Sequence, residues 1–156
     1  MAMLEATKVQ ITKQIRIEAT PESVFPYLID SEKVITWSGI AADLDPTPGG
    51  DYHLTMMPGV IAKGKFVEIT PYTRVSYTWG WEAADNPIRP GSSLVEIELK
   101  PDGDATVLTL THSGLPDDAV DDHSGGWDHY VERLQIAGNG GDPGRDPWID
   151  NHPQGH

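Results

Sequence analysis

The order of two hydrophobic periodicities constrains the fold of this chain more than any other feature of its sequence. Residues 9–19 alternate between apolar and polar side chains, and six further runs between residues 41 and 112 are separated by turn residues, as antiparallel strands are. From Trp127 to Ala137 the apolar residues instead recur every three or four positions, which predicts one amphipathic helix. The sequence therefore predicts an α+β domain, in which a curved antiparallel sheet wraps around one long C-terminal helix.

Turn and capping residues divide the chain into elements. Two short helices are predicted between the first strand and the other six, and Gly138 is expected to end the long helix. The candidate helix caps are Thr20 for the first short helix, Ser31 for the second, and Asp122 or Ser124 for the long one. Strands are expected over residues 9–19, 41–44, 52–57, 60–69, 74–81, 94–99 and 105–112, with a long hairpin loop over residues 82–92.

The length of 156 residues fits one domain, which we assign to residues 1–137. Residues 138–156 contain five Gly and three Pro without apolar periodicity, and they are expected to form a loosely ordered acidic tail that Trp148 and Ile149 pin locally. The acidity is concentrated near this end, because residues 102–156 carry −9 of the net charge of −13.

The composition excludes several classes of function. A net charge of −13 argues against nucleic-acid and anionic-membrane partners, because phosphate binding requires clustered Lys and Arg. The absence of Cys excludes disulfides, thiolate catalysis and Cys-based metal sites. The N-terminus lacks a signal pattern, and no run approaches the roughly 20 apolar residues of a membrane span. We therefore expect a cytoplasmic protein.

Motifs for nucleophilic, nucleotide or metal chemistry are absent from the sequence. There is no Gly-x-Ser-x-Gly elbow, no phosphate-binding Gly-rich loop before a helix, and no His-Glu-x-x-His pair. His123 and His129 are six residues apart, which places them on different faces of a helix, and His152 and His156 lie in the tail. The sequence predicts neither a cofactor nor a metal ion.

Inward-facing aromatic residues are the strongest functional signal. They come from a short helix, several strands and the long helix, and they either fill a core or line an apolar pocket. His112 shares the stripe of Leu110 on the last strand and should face inward, as a structural core histidine or as a ligand or proton-transfer group. Glu68 either pairs with Arg74 or Lys65 or acts as an acid or base.

Several stretches resemble one known family. The segment 64–79, the segment 106–115 and the His-x-x-Gly-Trp pattern of residues 123–127 are similar to domains related to the C-terminal part of the activator of heat-shock-protein-90 ATPase. The first strand with residues 19–25, and Trp37, extend the resemblance over residues 9–137. The chain shows no counterpart of the additional N-terminal domain that the activator carries, which argues against an Hsp90-ATPase role.

The resemblance implies the helix-grip fold of the SRPBCC (START-like) superfamily, whose members enclose a hydrophobic cavity between sheet and helix. That superfamily includes lipid and hormone carriers, polyketide cyclases, resistance proteins and chaperone activators, so the fold alone does not select an activity. We predict a domain that binds a small hydrophobic or aromatic ligand. The predicted ligand-binding residues are Trp37, Phe66, Trp79, Trp81, Leu110, His112, Trp127 and Tyr130.

Two alternatives remain from the sequence. The same cavity could serve a polyketide cyclase, dehydrase or hydrolase with His112 or Glu68 as acid or base, although we assign no catalytic residue. The domain could instead be a chaperone-associated or other protein-interaction module, with self-association into a homodimer left open. An interaction module would expose an apolar patch instead of enclosing a cavity.

Overall fold

Seven strands form the sheet of the computed structural model, which describes residues 10–83 and 88–149. The strands are β1 Gln10–Ile17, β2 Ala41–Leu44, β3 Asp51–Met57, β4 Val60–Thr70, β5 Arg74–Trp79, β6 Ser93–Asp102 and β7 Ala105–Ser113. All neighbouring pairs are antiparallel, in the order β1-β7-β6-β5-β4-β3-β2. This confirms the predicted α+β class and the six strands after the short helices, while Val9, the predicted first strand residue, lies outside the described residues.

The alternation along each strand separates a buried face from an outer face. On β7, Leu108, Leu110 and His112 are fully buried. Their cross-strand partners on β6 are Leu99, Ile97 and Val95. The predicted inward orientation of His112 is confirmed, because side chains two residues apart point to the same face of a strand.

The turn between β3 and β4 shows why the meander could be predicted. Pro58 and Gly59 connect Met57 to Val60, and Gly59 has a φ of +80°. A type II turn favours proline at its first central position and requires a positive φ at its second, which glycine adopts without a steric penalty.

Three helices of four residues each replace the two short helices that the sequence predicted. They are α1 Pro21–Val24, α2 Pro26–Ile29 and α3 Ser31–Val34. Thr20 caps α1 as predicted, because its side chain accepts a hydrogen bond from the Ser23 amide. The cap predicted at Ser31 is wrong by one residue, since Asp30 accepts hydrogen bonds from the amides that follow it.

The long helix α4 spans Val120–Gly138 and lies across the buried face of the sheet. Its 19 residues correspond to a length of about 28 Å. The predicted end at Gly138 is confirmed, but the predicted start is wrong. A 3₁₀ turn over Asp117–Ala119 leads directly into α4 without a side-chain cap, and Asp122 and Ser124 lie inside the helix. Ser124 instead accepts a hydrogen bond from Lys13 Nζ on β1.

The chain after α4 returns to the helix surface. Trp148 stacks on the imidazole of His129, with ring centroids 3.7 Å apart and planes within 3°. Asp146 is only 5% exposed, and its Oδ1 lies 2.8 Å from His129 Nε2 and accepts a hydrogen bond from the Trp148 amide. Arg133 donates to the carbonyls of Pro143 and Gly144. Residues 143–149 therefore make defined contacts with α4, including those of Trp148, one of the two residues expected to pin the tail locally.

Replacing Asp146 with alanine tests this attachment. We expect the free energy of unfolding to fall by about 2 kcal/mol, because the change removes a buried acceptor from the Trp148 amide and the partner of His129. Urea unfolding measures the effect. Asp142→Ala is the matched control, since Asp142 is exposed and accepts one hydrogen bond from the Gly144 amide. Equal losses in the two variants would contradict the anchoring role of Asp146.

The described end of the predicted hairpin loop over residues 82–92 folds back onto Trp81. The Trp81 amide donates to the carbonyl of Ile88, and the Ile88 side chain is buried. Trp81 also forms a single β-bridge with Ala62, so it continues the line of β5 beyond the end of that strand. Residues 84–87 of this loop lie outside the described part of the chain.

Within the described residues, no helix combines the length and the apolar character needed to cross a membrane.

Candidate functional site

A small cavity lies between the sheet and α4. It is partly open to solvent, and its walls come from β3, β5, α4 and the segment after α3. Its lining residues are Ser38, Met56, Trp79, Trp81, His123, Gly126, Trp127 and Tyr130. The cavity volume is about 30 Å³, which is room for one or two water molecules. The side chains around this cavity therefore leave little free space between them.

Half of the residues predicted to bind a ligand line this cavity, namely Trp79, Trp81, Trp127 and Tyr130. The other four are buried outside it. Trp37 donates its indole N–H to the Tyr27 carbonyl, and Phe66 packs edge-on against Tyr52 and Tyr77. Leu110 is fully buried in the core cluster, and His112 lies behind Trp127. Alternation indicates which face a residue occupies, but it does not indicate how far along the strand the cavity lies.

Four lining residues were not predicted. Met56 follows Tyr52 and Leu54 on the buried face of β3, so strand alternation could have identified it. His123 and Gly126 belong to the same His-x-x-Gly-Trp segment as Trp127. Ser38 follows α3 in a segment without periodicity, and no sequence signal points to it.

His112 is held by hydrogen bonds at both ring nitrogens. The Trp127 indole donates to Nδ1 at 2.9 Å, and Nε2 lies 2.8 Å from Ser93 Oγ. Ser93 donates its own proton to the carbonyl of Trp79. Because an indole N–H can only donate, Nδ1 must be unprotonated, and Nε2 carries the hydrogen that Ser93 accepts. His112 is thus a neutral imidazole with one defined tautomer.

His123 forms the complementary arrangement on α4. The Trp81 indole donates to its Nε2 at 3.2 Å, and its Nδ1 lies 3.0 Å from the carbonyl of Ala119. The hydrogen therefore sits on Nδ1, the opposite tautomer from His112. The two imidazole–indole pairs fix the ring positions of Trp81 and Trp127, which form two walls of the cavity.

Both imidazoles stay neutral near pH 7. Burial lowers the pKa of His112 to about 3, and electrostatic repulsion from His123 contributes to this shift. Burial also lowers the pKa of His123, against the opposing effects of its hydrogen bond to Ala119 and of Asp122. Burial raises the pKa of the Tyr130 phenol, as does the nearby charge of Asp146, so the hydroxyl remains protonated.

Neither acid–base candidate from the sequence reaches the cavity. His112 does not line it, and both of its nitrogens are engaged. Glu68 accepts from Arg74 Nε at 3.1 Å and from the Thr70 hydroxyl, as the structural alternative predicted. A register shift in β4 between Phe66 and Glu68 separates Glu68 from the buried face that Phe66 occupies.

One buried polar atom of a lining residue lacks a partner. Among the described residues, Trp79 Nε1 is the only buried side-chain nitrogen or oxygen without a hydrogen bond. No described residue of the lining carries a fixed positive charge. The described lining therefore presents a mostly apolar surface, in which the indole N–H of Trp79 is the donor without a partner.

The described residues contain no cluster of three or more His, Cys, Asp or Glu side chains that could hold a metal ion. His152 and His156, the two histidines of the tail, lie outside the described part of the chain.

Comparison with known proteins identifies the family. Residues 18–137 match the family model described as activator of Hsp90 ATPase homolog 1-like protein, abbreviated AHSA1. The chain belongs to the AHSA1-like family. The seven-stranded curved sheet and the long C-terminal helix of this AHSA1-like chain are those of the SRPBCC helix-grip fold, as the resemblance implied. No curated protein matches the AHSA1-like chain significantly.

Solved structures of several relatives share this fold. An AHSA1-like protein from Rhizobium etli is 38% identical, with a TM-score of 0.71 over 96% of this chain and 93% of its own. CalU16 from Micromonospora echinospora is 25% identical, with a TM-score of 0.66 over 80% of this chain and 73% of its own. An HSP90 activator from Plasmodium falciparum is 22% identical, with a TM-score of 0.67 over 82% of this AHSA1-like chain and 94% of its own, and shows similarity of fold alone.

Proposed function

We propose that this protein binds a small apolar or aromatic molecule in the cavity between the sheet and α4. One observation carries the proposal: three indoles, a phenol and a methionine meet around a partly open cavity between the sheet and α4. Tryptophan and tyrosine offer large apolar surfaces together with polar edges, as ligand pockets do.

Ligand entry requires the walls to move, because about 30 Å³ is smaller than an aromatic ring system. Met56 is the lining residue best suited to move, since methionine has three rotatable side-chain bonds and adapts to different shapes. Burial of about 150 Å² of apolar ligand surface would then contribute roughly 4 kcal/mol. The indoles of Trp81 and Trp127 remain in place through their imidazole partners.

Binding is tested by tryptophan-fluorescence quenching and native mass spectrometry with fatty acids, polyketides and flavonoids. We expect Gly126→Leu to weaken binding about tenfold or more, because Gly126 lines the cavity and the leucine would occupy its space. Gly125→Leu is the matched control, since Gly125 is exposed on the same helix and a Cβ there meets nothing within 4 Å.

Two results would contradict the proposal. One is that no compound of the set binds the unmodified protein. The other is that the Gly126 and Gly125 variants bind equally well, which would place any bound compound elsewhere.

Among the described residues, no contact specifically supports the enzyme hypothesis or the protein-interaction hypothesis. The enzyme hypothesis needs an acid or base in the cavity, and both candidates, His112 and Glu68, lie outside it. A chaperone partner, a homodimer and a cytoplasmic location remain predictions from the sequence. Among the described residues, the exposed large apolar side chains are spread over several elements: Ile35, Ile40, Val67, Tyr72 and Ile136.

A further inference from the structure

Trp79 has an unusual position among the core indoles. It lies at the end of β5, is 5% exposed, and contacts the rings of Trp81 and Trp127 with centroids 5.4 and 6.1 Å away. It also lines the cavity. Its own carbonyl is satisfied by Ser93, whereas its indole Nε1 has no acceptor among the described residues.

The other three indoles of the buried core are paired. Trp37 donates to the Tyr27 carbonyl at 2.9 Å, Trp81 to His123 at 3.2 Å, and Trp127 to His112 at 2.9 Å. A buried donor without a partner costs about 1–3 kcal/mol, so native structures rarely retain one. The exception therefore falls on the central indole of the cavity wall.

The other residues that line the cavity indicate what kind of acceptor can pair with Trp79 Nε1. Within residues 10–83 and 88–149 no lysine or arginine lines the cavity, and His123 has both nitrogens engaged in its neutral form. A carboxylate in this cavity would be desolvated without a cation to compensate it, which is unfavourable. A neutral oxygen acceptor has a much smaller desolvation penalty, which a hydrogen bond from Trp79 Nε1 offsets.

We infer that the ligand of this cavity is an uncharged molecule carrying a carbonyl or ether oxygen, which accepts a hydrogen bond from Trp79 Nε1. This inference rests on the proposed function and specifies the class of molecule bound. The apolar body of the ligand packs against Trp81, Trp127 and Met56. The donor at Trp79 then selects oxygen-bearing compounds over hydrocarbons of the same shape.

The test compares two bicyclic probes of nearly equal shape, 1-indanone with a ketone oxygen and indane without one. Dissociation constants are measured by fluorescence titration with the unmodified protein, with Trp79→Phe, and with Trp81→Phe as the matched control. Phenylalanine retains an aromatic ring but lacks the N–H. The N–H that is lost in Trp81→Phe already donates to His123 Nε2, so it is not available to a ligand.

We expect Trp79→Phe to weaken 1-indanone binding about tenfold, the loss of one buried hydrogen bond, while indane changes less than about twofold. Trp81→Phe should change both probes by the same factor. A second readout is the ¹H–¹⁵N resonance of the Trp79 indole, assigned by its disappearance in Trp79→Phe. It should shift downfield when 1-indanone is added, and indane should not reproduce this shift.

Each outcome has a defined meaning. If both probes bind but Trp79→Phe weakens them equally, or the Trp79 resonance shifts alike with both, the proposed binding function stands and the inference about the acceptor is wrong. An unmoved resonance with 1-indanone bound also overturns the inference, because a trapped water would then be the acceptor. If neither probe binds the unmodified protein, the binding proposal fails for molecules of this size, and the inference fails with it.

Discussion

Lowering the pH from 7.5 to 4.5 is expected to reduce the free energy of unfolding by about 3 kcal/mol through His112 alone. In the folded protein the pKa of His112 is lowered to about 3, whereas an unfolded chain has the ordinary histidine value of about 6.5. Between these values the unfolded state binds a proton that the folded state does not. The stability contributed by the neutral imidazole is therefore complete above pH 6.5 and is lost as the pH falls toward 3.

The physical cause lies in the hydrogen bonds of the ring. Protonation would place an N–H at Nδ1, where the Trp127 indole already donates, and would create a buried charge. His123 acts in the same direction, because its pKa is also lowered and its Nε2 also accepts from an indole. Urea unfolding at several pH values between 7.5 and 4.5 measures the combined slope.

His112→Asn isolates the contribution of one ring. The asparagine Oδ1 can accept from the Trp127 indole but does not titrate in this range. We expect the variant to be less stable at pH 7.5 and to lose less stability on acidification, so the two curves converge as the pH falls. Carboxylate titration is common to both proteins and cancels in the difference. Parallel curves would show that His112 is not held neutral by the fold.

A methyl group at residue 64 is the second change with a large expected effect. A Cβ added to Gly64 would lie 1.7 Å from the backbone oxygen of Thr78 and 2.4 Å from its carbonyl carbon. Both atoms belong to the backbone of β5, so no side-chain rotation can relieve the clash. We expect Gly64→Ala to lower the free energy of unfolding by about 3 kcal/mol, near the upper end of the usual overpacking penalty.

Gly125→Ala is the matched control for that change. Gly125 is an exposed residue inside α4, and a Cβ there meets no atom within 4 Å. Alanine in a helix interior is favoured over glycine by about 1 kcal/mol, so this variant should be more stable than the unmodified protein. Thermal and urea unfolding of the two variants compare them directly. A Gly64→Ala protein as stable as the unmodified chain would contradict the close approach of β4 and β5.

The strands could be predicted closely because their signal is local. Alternation and turn residues depend on neighbours in sequence, and the predicted run 60–69 differs from β4 by one residue. The caps were harder, because several polar residues near a helix start can accept from its amides. Asp30 rather than Ser31 caps α3 because its side chain reaches two following amides, while the Ser31 hydroxyl accepts from Leu44.

The face of the sheet that bears the site could be predicted from the sequence, but the position of the cavity along the strands could not. Phe66 and Trp79 both point into the domain, yet Phe66 packs in the stacked core and Trp79 reaches the cavity. The partners of His112 come from β6 and α4, which are distant in sequence, and no local pattern indicates them. Whether the Trp79 indole has a partner depends on the positions of all the polar groups around it, and no local sequence pattern indicates those positions.

The close packing of three indoles also gives the protein an intrinsic optical signal. Trp79 lies 5.4 Å from Trp81 and 6.1 Å from Trp127, in fixed and different orientations. Chromophores this close couple their excited states, and the resulting near-ultraviolet circular dichroism depends on their relative angles. Such a signal disappears when tertiary packing loosens, even while the helices and strands persist. The state of the cavity can therefore be followed by spectroscopy without attaching any label.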